Sequence, residues 1–183
     1  MTAGDYANFI AAFSGSAAAV AAFVTIRTSA LERSDERMAA YAVRTLERAY
    51  QALVGPEGTA NKAPVADRLA WLTSARLIEQ YKDAKQKIKN PVVLHECEGH
   101  EEHWRHQFYL ALSPLENVSP GYYSDRKGNG PIHDVSAVII HAFASWPDDK
   151  EDPVDKYKTS DAAISKLGVS NFWITLRRHL NIL

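Results

Sequence analysis

The hydrophobic positions of this chain change rhythm along its length, and the first rhythm is the densest. Residues 9–26, FIAAFSGSAAAVAAFVTI, are apolar almost throughout and carry neither a charge nor a proline. A membrane-spanning helix needs about 20 such residues and accepts about 17, so this segment is long enough without excess. Its composition is less apolar than its length suggests. Alanine is nearly neutral for insertion, and Ser14, Gly15 and Ser16 interrupt the middle. Ala11, Gly15 and Ala19 recur every fourth residue, the small-xxx-small spacing that lets helices approach closely in lipid, while Ser14 and Ser16 are placed to face a partner or a water-filled path. The segment therefore reads as an oligomeric membrane helix. The competing readings are a buried alanine-rich core helix or oligomer seam, and a cleaved signal peptide. The last is disfavoured because Asp5, not Lys or Arg, precedes the apolar run.

Beyond it the period becomes helical. Residues 28–54 contain no Pro or Gly, and Ala39, Val43, Leu46, Tyr50 and Leu53 step by four and three, predicting that the first helix continues as a long seam until Gly55-Pro56-Glu57-Gly58 stops it. Pro64 opens a second predicted helix, running to about Lys89, with Leu69, Trp71, Leu72, Leu77, Ile78 and Tyr81 as its apolar contacts. Asn90-Pro91 caps a third that reaches about Leu112. Its core face is Leu94, Cys97, Trp104, Phe108 and Leu112, with Glu101 where an apolar residue is expected. A loop rich in proline and glycine, with Tyr122 and Tyr123, leads to a fourth helix marked by Val135, Val138, Ile139 and Ala142, which stops at Trp146-Pro147. An acidic connector, 148–158, precedes two short helices, 160–167 and 170–180, around Gly168. No sustained alternation predicts a strand. The expected fold is all-α: an N-terminal membrane-type helix (1–27) continuous with a long cytosolic helix, a compact multi-helix domain (28–147), and a connector with a C-terminal helix pair (148–183).

Charge sets the orientation and narrows the partners. Arg27, Arg33 and Arg37 follow the apolar run, so the positive-inside rule puts the bulk of a single-pass protein in the cytoplasm. A formal charge of −1 over 183 residues gives no overall field for nucleic acid, so any anion must be met locally. The single cysteine, Cys97, forms no internal disulfide, in keeping with a reducing compartment.

Chemistry-bearing residues cluster in three places. In His95-Glu96-Cys97-Glu98-Gly99-His100-Glu101-Glu102-His103, the residues Glu96, His100 and His103 share a helix face and are the candidate metal ligands. The histidines are three apart, though, not four as in HExxH, and the bland reading is a charged helix surface. Lys85, Lys87 and Lys89 end the second helix, where cations complement its dipole or meet a phosphate. No nucleophile frame or phosphate loop supports an enzyme, and no cofactor is expected.

The third cluster carries a resemblance. Residues 162–180, with Gly168 in the turn and Ser170 as cap, resemble a helix-turn-helix of DNA-binding proteins. The resemblance implies that Asn171, Thr175, Arg177 and Arg178 would touch bases or phosphates. Phe172 and Trp173 stand where polar base-reading side chains are usual, and Trp173 could stack on a base instead. In layout, an apolar segment joined by a seam helix to a compact domain without catalytic motifs is similar to the short membrane effectors of bacterial antiphage defence. That likeness implies a homo-oligomer in the lipid bilayer that forms a pore or channel when its cytosolic domain senses a signal, such as a nucleotide or oligonucleotide.

Overall fold

The computed structural model describes the backbone of residues 3–55, 63–117, 120–124, 129–147, 150–170 and 172–180, with side chains from residue 23 onward within these ranges except Val24 and Pro120. Among the described residues there are helices and no strands. Their order is α1 (Ala3–Val54), α2 (Arg68–Lys85), α3 (Pro91–Leu112), two 3-10 turns (Ser113–Asn117 and Pro120–Tyr122), α4 (Asp134–Ala144), α5 (Ser160–Leu167) and α6 (Ile174–His179). The chain divides into two compact units, 1–145 and 146–183.

The first helix is a single rod of 52 residues. At a rise of about 1.5 Å per residue, its length is about 78 Å. It ends where the sequence says it should. Gly55 adopts φ +74° and returns its amide to the Gln51 carbonyl at 2.9 Å. This is a left-handed cap that a side chain would strain. Among the described side chains, only those of the C-terminal part of the rod are packed. From Phe23 to Ser34 every described side chain is exposed except the half-buried Ser29, whereas Ala42, Thr45, Leu46, Ala49 and Leu53 are buried. The predicted seam is thus rotated. Leu46 and Leu53 belong to it, Ala39 and Tyr50 flank it, and the centre falls on Ala42 and Ala49, because small side chains let α1 lie close to α2 and α3. Thr45, polar and fully buried, donates its hydroxyl to the Tyr41 carbonyl at 2.8 Å.

The second helix begins later than predicted, at Arg68. Pro64 lies outside the helix and not in its first turn, because Asp67 is the N-cap and its carboxylate accepts the Ala70 amide at 2.7 Å. The helix also ends earlier, at Lys85, and the next residues turn so that Ile88 is buried. Leu69 is exposed, and the buried face is Trp71, Ser74, Ala75, Ile78, Tyr81 and Ala84. The third helix has the predicted bounds, with the Asn90 side chain accepting the amides of Val92 and Val93. Of the residues that mark the fourth, Ile139 packs against the core. Val135 and Val138 are exposed, while Ser136, Ile140, Phe143 and Ala144 turn inward against α2 and α3.

Phe108 at the centre meets Phe143 and Tyr50 edge-on, with ring centroids 5.3 Å and 5.5 Å apart, the arrangement that aromatic quadrupoles favour. The loop after α3 is drawn onto this core. Tyr122 and Tyr123 pack against Trp71, the Tyr122 hydroxyl donates to the Pro64 carbonyl at 2.6 Å, and the Tyr123 hydroxyl pairs with His141 Nε2 at 2.9 Å.

The second unit has the opposite character. None of its described residues is buried. Thr159 caps α5 and Gly168, at φ +65°, ends it, as the sequence indicates. The last helix is shorter than expected, Ile174–His179 instead of 170–180, and Ile174 is exposed. Ser170 Oγ accepts the Phe172 amide at 3.2 Å, and Phe172 and Trp173 stand in the turn before the helix.

Candidate functional site

The polar residues that organise the first unit gather where α1 leaves the packed core. Asp35, one turn before the first half-buried residues of the seam, accepts the backbone amides of Lys89 and Asn90 at 3.0 Å and 2.7 Å. Those amides belong to the turn joining α2 to α3, so one carboxylate ties the rod to both neighbouring helices. Beside it a cleft of about 550 Å³ is lined by Ala30, Ser34, Arg37 and Tyr41 of α1 and by Asp83 and Lys87 of α2 and its turn. Arg37 and Lys87 give it two cations and Asp83 one acid.

Behind the clamp lies an ion network centred on Glu101, the acid on the apolar face of α3. Its Oε2 accepts the Tyr81 hydroxyl and Lys85 Nζ, each at 2.6 Å, and its Oε1 accepts Arg105 Nη2 at 2.5 Å. Lys85 reaches Glu98 as well, at 3.2 Å. Arg105 turns its other nitrogen onto the carbonyls of Phe143 and Ser145, at 2.7 Å and 2.8 Å. A cation placed there caps the C-terminal end of α4. Glu101 thereby joins α2, α3 and α4.

Burial pushes the Glu101 carboxyl up, but the hydrogen bonds from Lys85 and Tyr81 and the positive charges of Lys85 and Arg105 outweigh it and hold it below its usual range. Burial pulls Lys85 down, and its bonds and charge pairing with Glu101 and Glu98 more than reverse that. Tyr81 is raised by burial and by the neighbouring carboxylate. Burial also raises the Cys97 thiol, which suits an inert core residue and not a nucleophile. Across the core, burial lowers His141, with the Glu116 charge opposing.

The candidates from sequence are dispersed by this arrangement. Of the three lysines, Lys85 is consumed by Glu101, Lys87 lines the cleft, and Lys89 donates to the Gln86 carbonyl at 3.2 Å, so each serves a different partner. The metal trio does not converge. Glu96 and His100 line the groove between α1 and α3, whereas His103 lies edge-on to Trp104 with centroids 5.3 Å apart. Among the described residues no group of three His, Cys, Asp or Glu side chains is placed to hold a metal ion. Trp173, Arg177 and Arg178 lie in the second unit, Trp173 and Arg178 exposed and Arg177 half-buried. Asn171 lies outside the described residues, as do the side chains of Ala11, Ser14, Gly15, Ser16 and Ala19. Among the described residues no helix is long and apolar enough to cross a membrane. Sequence reading overlooked Asp35, whose partners lie more than fifty residues away, and Tyr81 as a partner of Glu101. The signal for both was an acid at the edge of an apolar seam.

The chain matches no protein-family model, no curated protein and no solved structure.

Proposed function

We propose that this is an oligomeric single-pass membrane protein in which the helical unit controls the apolar N-terminal segment, in the manner of a gated pore or channel. One observation carries the reading. The helix that supplies the core seam, from Ala42 to Leu53, runs without a break back to Ala3, so the apolar segment and the domain share one rod. Phe23 and Ile26, at the end of residues 9–26, and Leu31 beyond it are each more than half exposed. Apolar side chains left there by the domain are met by lipid or by other copies of the rod. The Asp35 clamp and the cleft beside it are where a change within the domain reaches the rod, and Arg37 and Lys87 suit a small anionic ligand there.

Deleting residues 1–26 tests the reading. The truncated chain is expected to leave the membrane fraction and to lose its oligomeric state while keeping its helical content. Membrane association and assembly unchanged by the deletion would refute the proposal. Gly15→Leu, which keeps apolarity and removes the close approach, is expected to weaken assembly without releasing the protein from membranes.

A further inference from the structure

The second unit, 146–183, combines two features that its own fold does not explain. It buries no described side chain, and it exposes a tight run of large apolar groups: Phe172 at 81% exposure, Trp173 at 59%, Ile174 at 56% and Leu176 at 42%. A unit this small cannot build a core from its own residues, so these side chains find apolar surroundings elsewhere. Its charge is sorted as well. All six of its acids, Asp148, Asp149, Glu151, Asp152, Asp155 and Asp161, precede Ala162, whereas residues 162–183 carry Lys166, Arg177 and Arg178 and no acidic side chain. The basic groups of α6 follow the aromatic pair within a turn or two, with His179 in the same last turn.

We propose that the turn and helix spanning residues 172–179 form an interfacial foot that docks on an anionic lipid surface. Phe172, Trp173 and Ile174 enter the headgroup boundary, and Arg177 and Arg178 pair with lipid phosphates. Aromatic side chains settle at the boundary because they are apolar in body and polar at one edge, and neighbouring cations add attraction to anionic headgroups. Residues 162–183 carry three basic side chains and no Asp or Glu, a net positive charge that complements such a surface. Residues 146–161 set six acids against Lys150, Lys156 and Lys158, and this net negative charge keeps them off an anionic surface. Nucleic acid is the less favoured partner: the turn geometry removes Phe172 and Trp173 from the recognition helix, and α6, Ile174–His179, is too short to fill a groove. The foot shares its bilayer with the N-terminal segment of the proposed function but depends on different residues.

The test uses the full-length chain with vesicles bearing bromine on their acyl chains, either neutral phosphatidylcholine or the same lipid with about 30 percent phosphatidylserine. Subtracting the emission of Trp173→Phe from that of wild type isolates Trp173 from Trp71, Trp104 and Trp146. Flotation of the same samples reports association independently. The foot predicts that about half or more of the Trp173 emission is quenched in anionic vesicles and little in neutral ones. Arg177→Gln/Arg178→Gln is expected to reduce that quenching about fivefold or more. Flotation with both vesicle types but no quenching of Trp173 would overturn the foot and leave the N-terminal anchor standing. Flotation and quenching with anionic vesicles alone, both lost in the double arginine variant, would support the foot and refute the anchor. Absence of flotation with either vesicle overturns both. Saturable binding of a labelled oligonucleotide that needs Trp173 and the two arginines, without lipid quenching, would assign the surface to nucleic acid and overturn the foot.

Discussion

Glu101 sits on a helix face that its neighbours make apolar, and its charge is kept by a tyrosine, a lysine and an arginine, each within hydrogen-bonding distance. Its side chain is only 12% exposed. Removing the carboxylate therefore strands Lys85 and Arg105 in a poorly solvated site. Glu101→Gln is expected to destabilise the first unit by about 3 kcal/mol, measured by urea unfolding, with Glu98 and the α4 carbonyls limiting the loss. The same residue fixes a pH dependence. Because its folded pKa lies below the ordinary carboxylate value of about 4.3, its contribution is complete above that pH and is lost as pH falls through the depressed folded value. The stability of wild type should therefore decline below about pH 4.3, and the decline should be shallower in Glu101→Gln. His141 acts in a separate window. Its pKa is lowered by burial. The unfolded chain thus takes up the proton first, and stability falls as pH drops below about 6.5. His141→Gln, which can still accept from Tyr123, should flatten unfolding midpoints recorded between about pH 6.5 and 5. An acid in an apolar position announced the first of these sites in the sequence, but its partners did not. Tyr81 and Lys85 come from α2, and only the packing of α3 against α2 brings them to Glu101, while Arg105, one turn along α3, is held by the carbonyls at the end of α4.

Helices are the scale at which the sequence was most legible. The absence of Pro and Gly from 28–54 marked out the second half of α1, Gly55 ended it, and Asn90-Pro91 opened α3 at the residue observed. Faces were harder to read than spans. The α1 seam moved to Ala42, Thr45 and Ala49, because close packing favours small side chains that carry little hydropathy signal, and α4 presents Val135 and Val138 outward for the same reason that Ser136 lies inward. The C-terminal pair departs most. Its helix-turn-helix likeness rests on a second helix from Ser170, and the serine instead caps a turn that shortens α6 to Ile174–His179. Two changes test how α1 is held. Asp35→Ala removes the acceptor for the Lys89 and Asn90 amides, a capping-type loss of about 1 kcal/mol, and should speed hydrogen exchange in the α2–α3 turn before it affects the core. Inserting two glycines after Leu31 breaks the rod between domain and apolar segment. That variant is expected to remain in membranes and keep the unfolding midpoint of the domain while losing any conductance that depends on it. Unchanged conductance would show that the rod transmits nothing.

At the scale of the whole molecule, the two units have contrasting surfaces, the second opens on an acidic stretch, and two of the places where apolar groups are exposed lie far apart in the sequence. One is the unpacked part of α1, with Phe23, Ile26 and Leu31, and the other is the run from Phe172 to Leu176. The first is the end of residues 9–26 with Leu31 beyond it, and the proposed function assigns it to lipid and to neighbouring copies. Composition could raise this reading but not decide it, since alanine in quantity serves a membrane helix and a buried seam equally well. The most direct measurement is alkaline carbonate extraction of membranes from cells producing the full-length chain, beside a variant in which Ala12 and Val20 are both replaced by aspartate. Two charges in the apolar run cost about 5 kcal/mol or more on insertion, enough to expel a marginal span. Wild type is expected to remain in the pellet and the double aspartate variant to pass into the supernatant. Wild-type protein released by carbonate to the same extent as the variant would contradict the account.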